Sequence, residues 1–92
     1  MSEIQSNTKV ARSQVLESRV DEDLILFDAE AGKYFATGSV GADIWKLIES
    51  PRTVREVCEV LIERYDVSEE TCFSEVQRFV LDLVAAGLAE VR

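Results

Sequence analysis

Gly32-Lys33-Tyr34-Phe35-Ala36-Thr37-Gly38-Ser39-Val40-Gly41-Ala42-Asp43-Ile44-Trp45 reads as a short aromatic strand that breaks on glycine and starts a helix. Lys33–Thr37 has strand length and β-forming side chains. From Val40 the period changes: Val40, Ile44, Leu47 and Ile48 share one helical face, with Trp45, the single tryptophan, beside them. Ser39 is the expected N-cap. Ser50-Pro51 ends this helix near Glu49, because the residue before a proline disfavours the helical region.

Upstream of this stretch lie two further strand signals. Leu24-Ile25-Leu26-Phe27-Asp28 is a dense apolar run of strand length. Val15–Val20 alternates as a short strand, and Asp21-Glu22-Asp23 is a turn cluster. Ala29-Glu30-Ala31-Gly32 is a four-residue hairpin loop ending in glycine. Together these segments predict a three-stranded antiparallel meander with Lys33–Thr37 as its third strand.

Downstream, two more helices follow. Thr53-Val54-Arg55-Glu56 is a capping box, a hydroxyl with a glutamate three residues on. Val54, Val57, Cys58, Leu61 and Ile62 then recur at helical spacing. Ser68-Glu69-Glu70 opens the third helix with acids where the helix dipole favours them. Its stripe is Cys72, Val76, Phe79, Val80 and Leu83, and Gly87 before Leu88 is the expected stop. The order predicts an α+β fold, winged-helix-like, with the three-stranded sheet first and three helices covering one face.

Composition narrows the function. Ninety-two residues make one domain. Residues 1–12 are polar and read as a flexible tail, leaving 13–92 as the folded domain. Net charge is −8, with 18 acids against 10 bases, and the bases are interleaved with acids. A nucleic-acid binder needs clustered Lys and Arg, so no nucleic-acid partner is expected. No apolar run approaches the ~18 residues that span a bilayer, and the N-terminus lacks a signal-peptide core. The expected setting is the cytoplasm, away from membranes. Cys58 and Cys72 read as two buried thiols rather than a disulfide. With no histidine, neither a zinc site of about four Cys/His ligands nor a Ser–His or Cys–His pair can be assembled. No phosphate-cradling glycine loop occurs. The chain reads as a non-enzyme without metal or cofactor.

What remains is a surface that can bind. The third strand ends the meander, so one side of its backbone has no sequence-adjacent partner, and an extended peptide can add there. Tyr34 and Phe35 point to opposite faces, so one joins the core and the other faces outward or lines a groove. On the third helix, Phe73 and Val84 lie at one margin of the stripe. Leu81 lies outside it, either a lone exposed leucine or part of a groove. Trp45 reads as core.

The order of Leu24–Asp28, Gly32-Lys33-Tyr34-Phe35, Gly41-Ala42-Asp43-Ile44-Trp45, Pro51-Arg52-Thr53-Val54, Tyr65-Asp66-Val67 and Gly87-Leu88 resembles the PqqD-like family. Its members are the recognition elements of ribosomal peptide natural-product pathways. The resemblance runs from about Val10 to Val91. It implies that the leader segment of a precursor peptide adds as a fourth strand beside Lys33, Tyr34, Phe35, Ala36 and Thr37. It also implies a groove against the third helix, with Phe73, Val76, Gln77, Val80, Leu81 and Val84 as candidate wall residues. Pro51 before Arg52-Thr53-Val54, and Cys72 early in the third helix, look most like the free-standing recognition proteins of lasso-peptide pathways. That likeness implies hand-over of the leader to a separate protease and cyclase. A peptide chaperone for a radical SAM maturase is the nearest alternative. Two readings from other classes are a winged-helix DNA-binding regulator, which the acidic balance opposes, and a structural subunit that dimerises through its sheet edge.

Overall fold

The computed structural model describes residues 4–13, 15–21, 23–28 and 32–92. Its elements are β1 (Lys9–Arg12), β2 (Leu16–Val20), β3 (Asp23–Asp28), β4 (Lys33–Thr37), α1 (Ser39–Leu47), β5 (Arg52–Thr53), α2 (Val54–Arg64), α3 (Glu69–Ala85) and β6 (Ala89–Val91). They form an α+β fold with two three-stranded antiparallel sheets, ordered β2-β3-β4 and β5-β1-β6.

The first sheet is the expected meander. Val20 pairs with Asp23 across a two-residue connection in which Asp21 takes a left-handed φ of 58°. Aspartate tolerates that conformation, and such turns match the twist of the strands they join. Asp23 thus belongs to β3 rather than to the turn. Of the expected loop Ala29–Gly32, residues 29–31 lie outside the described residues. Gly32 has φ 66° and donates its N–H to the Asp28 carbonyl at 2.7 Å. Alternation along β3 turns Leu24 and Leu26 into the core, which is completed by Ile44, Trp45, Ile48, Val57, Leu61, Val76, Val80 and Leu83.

The helix ends follow local chemistry. Gly38, not Ser39, is the N-cap of α1, and it makes no side-chain capping bond. Thr53 and Glu56 complete the capping box of α2: the Glu56 N–H donates to Thr53 Oγ1 at 3.1 Å, and the Thr53 N–H donates to Glu56 Oε1 at 2.8 Å. At the end of α3, the Leu88 N–H reaches the Leu83 carbonyl and the Gly87 N–H reaches that of Val84, while Gly87 takes φ 77°. This is a Schellman stop, for which glycine is the residue without a steric penalty.

The N-terminal segment departs from the expected flexible tail. β1 is the middle strand of the second sheet, pairing Lys9 with Thr53 and Val10 with Val91. Ile4 and Val10 are each 1% exposed. The Val54 and Arg55 N–H groups donate to the carbonyls of Thr8 and Ser6. The physical reason is that β1 is four residues long and its partners lie far away in sequence, so no local period announces it. Trp45 is core, as expected, with one polar tie: its indole N–H donates to Glu17 Oε2 at 2.8 Å, and the Arg12 guanidinium lies 5.2 Å from its ring centroid.

Candidate functional site

β4 has one hydrogen-bonded neighbour among the described residues, namely β3, through the pairs Leu24–Thr37, Ile25–Ala36, Leu26–Phe35, Phe27–Tyr34 and Asp28–Lys33. Alternate backbone N–H and C=O groups of an antiparallel strand point to its two sides. The far side of β4 therefore presents donors and acceptors in the pattern that a further strand pairs with.

Side chains tie this edge to α3. Phe35 points inward and meets Phe79 edge-on, with centroids 5.8 Å apart and an interplanar angle of 72°. Tyr34 points outward, is 75% exposed, and packs on Phe27 with centroids 4.8 Å apart. The pair thus divides as expected, Phe35 against the core and Tyr34 away from it. Gly41 lets α1 approach the same place. A Cβ at position 41 would overlap Thr37 Oγ1, lie 2.8 Å from Thr37 Cβ and 3.0 Å from Phe79 Cε1.

Where β4, α1 and α3 meet, a cleft of ≈ 450 Å³ opens, lined among others by Thr37, Val40, Gly41, Glu75 and Phe79. Sharing Val40, Ile44 and Glu75, a smaller hollow of ≈ 110 Å³ continues it towards Leu61, Tyr65 and Cys72. The Tyr65 hydroxyl donates to Asp43 Oδ2 at 2.7 Å, and Arg64 pairs with Asp43 at 3.4 Å. The hydrogen bond to that carboxylate raises the Tyr65 phenol above its usual range. The floor is thereby held between α1 and the end of α2.

The six expected helical wall residues do not form one wall beside β4. Val76 and Val80 are core, 1% and 0% exposed. Gln77 Nε2 donates to the Ile4 carbonyl at 2.6 Å, and Phe73 borders a separate cleft with Ser6 and Arg55. Val84 is half-buried against the core and Leu81 is 39% exposed. At about 100° per residue, positions 77 and 79 lie on opposite sides of a helix. Once Phe79 meets Phe35, Phe73 and Gln77 must face the N-terminal segment. The β4 side of α3 carries Glu75 and Phe79, neither of which is among the six expected residues. Phe79 was legible only as part of the core stripe.

Cys58 and Cys72 are free and buried, and the Cys72 thiol points at the Cys58 carbonyl oxygen, 3.9 Å away. Burial, with Cys72 alongside, pushes the Cys58 thiol up to about 12. It is a protonated packing group at neutral pH rather than a nucleophile. No helix among the described residues is long and apolar enough to cross a membrane.

Known proteins place this geometry. No curated protein matches the chain. Among solved structures, it is similar to TbiB1 in complex with the TbiA(beta) leader peptide. That match has 26% identity and a TM-score of 0.78, and covers 87% of this chain and 94% of that one. The family model described as coenzyme PQQ synthesis protein D (PqqD) matches residues 23–89, from the first residue of β3 through all three helices to the first residue of β6. The chain belongs to the PqqD family.

Proposed function

We propose that the chain binds the leader segment of a ribosomally made precursor peptide and presents it to separate maturation enzymes, itself catalysing nothing. The leader adds as a fourth strand on Lys33–Thr37. The observation that carries this reading is the open edge of β4 backed by the Phe35–Phe79 contact and the cleft at Thr37, Val40 and Glu75. Main-chain hydrogen bonds supply affinity in such an arrangement, and the cleft selects side chains. The likeness to a protein solved with its leader peptide supports it. In this reading Glu75 and Phe79 serve as the wall in place of Phe73 and Gln77, with Val76 and Val80 as support from beneath; the Phe35–Phe79 contact and the cleft lining favour that choice.

The partner enzymes are the protease and cyclase of a lasso-peptide pathway. The family description, which refers to coenzyme PQQ synthesis, favours a second reading in which a radical SAM maturase receives the leader.

The test is a titration with a fluorescent leader peptide from the neighbouring precursor gene, followed by the same titration with Ala36→Pro. Proline deletes one N–H of β4 and strains the strand. Wild type should saturate at micromolar peptide, and the variant should not. Unchanged affinity in a folded Ala36→Pro protein would sink strand addition at β4.

A further inference from the structure

Glu75 stands where the cleft beside β4 passes into the smaller hollow, and it lines both. Among the described residues it is the one charged side chain lining either of them, and Val40, Ile44, Val76 and Phe79 surround it with apolar wall. It has no hydrogen bond or ion pair among the described residues, although Arg78 lies one turn further along α3. Asp43, the carboxylate at the floor, differs: it holds Tyr65 and Arg64. Glu75 is thus an uncommitted charge in an apolar cleft beside the open strand.

Such a carboxylate decides what the cleft accepts. An aliphatic side chain laid over Glu75 would strip its water and leave the charge uncompensated. A Lys or Arg reverses the sign of that effect. Its methylene stem lies on Val40, Ile44 and Phe79, while its head meets the carboxylate. Arg adds a planar face that stacks on an aromatic ring. The net charge of −8 favours the same basic partner. Strand alternation says which leader residue reaches the cleft. Phe35 points inward to Phe79, so Thr37, two residues on, shares its face and lines the cleft. On an added strand, the residue directly across from Thr37 projects to that same face. Its side chain enters between Thr37 and Glu75.

We infer that Glu75 is a specificity residue, selecting a leader that carries Lys or Arg at the position paired with Thr37. The inference rests on the leader-binding reading above. Strand addition supplies affinity without regard to side chains, and the Glu75 pair distinguishes one leader from another.

The probes are the leader peptide of the neighbouring precursor gene and variants of it in which each Lys or Arg in turn becomes Gln. Glu75 is exposed on α3, and glutamine is a comparable helix former, so Glu75→Gln keeps the fold. Glu70→Gln is the control, because Glu70 borders the separate cleft beside Phe73. Glu75→Gln should bind leader about fivefold more weakly at low salt, the scale of a partly covered ion pair, while Glu70→Gln stays within about twofold of wild type. One leader replacement should cost wild type the same factor and cost Glu75→Gln nothing, which is the signature of a direct pair. Both losses should fade in about 1 M NaCl, where charges are screened within about 3 Å. Binding by Glu75→Gln equal to that of wild type or of Glu70→Gln overturns the inference and leaves leader binding standing. So does a leader set in which no replacement falls silent in Glu75→Gln. Tighter binding by Glu75→Gln overturns it in favour of an apolar occupant. Absence of leader binding by the wild type overturns the leader reading, and this inference with it.

Discussion

Gly41 is where α1, β4 and α3 converge, and there is no room for a methyl group there. A Cβ would meet Thr37 Cβ at 2.8 Å, a branched carbon close to the backbone that cannot swing aside. Gly41→Ala should therefore destabilise by about 1–3 kcal/mol, the usual range for overpacking, although alanine is the better helix former. Chemical denaturation measures it. Phe79 and Gln77 test the rotation of α3. Phe79→Ala should weaken leader binding about tenfold, whereas Gln77→Ala should leave it unchanged. The reverse order of effects would restore the Phe73–Gln77 side as the groove wall. Cys58 and Cys72 should both resist alkylation at pH 8 in the folded protein and both react in denaturant, because both are buried, and burial also pushes the Cys58 thiol up to about 12. The raised value makes the Cys58 contribution to stability complete below the ordinary thiol range. It is lost as pH rises towards 12.

At the scale of elements, the helix ends are set by a few residues each. Thr53 and Glu56 exchange hydrogen bonds at the start of α2, and the backbone and hydroxyl of Thr53 hold the Glu56 carboxyl below its usual range. Thr53→Ala should cost about 1 kcal/mol, the typical value of an N-cap. A lowered carboxylate value means that the Glu56 contribution is present above the unfolded-state value and lost as pH falls through the folded one. The stability difference between wild type and Glu56→Gln should therefore shrink between pH 7 and pH 3, as read by urea denaturation. Both this box and the Gly87–Leu88 stop were legible in the sequence, because every partner lies within five residues. The rotation of α3 was not legible. Phe73 and Phe79 flank the same stripe on opposite margins, and nothing local says which margin meets β4.

For the whole molecule, the N-terminal segment closes the second sheet and covers one side of α3. Ile4 is 1% exposed, its carbonyl accepts from Gln77, and β1 joins β5 to β6. Ile4→Ala should cost about 2–4 kcal/mol, the range for truncating a buried aliphatic side chain. It should lower the Tm without changing leader affinity in the protein that remains folded, because the segment lies across α3 from β4. With a net charge of −8, leader binding that weakens as salt is raised would mark basic leader residues as part of recognition.

The sequence by itself determined the meander, the three helices, the caps of α2 and α3 and the open edge at Lys33–Thr37. Each is written in local periodicity or in pairs of residues a few positions apart. The tertiary structure alone decided two things: the β5-β1-β6 sheet and the Phe35–Phe79 contact that turns Glu75 towards the cleft. Both join residues more than thirty positions apart. Long-range contacts and register emerge only when strands pair and helices choose the face that the whole core leaves open.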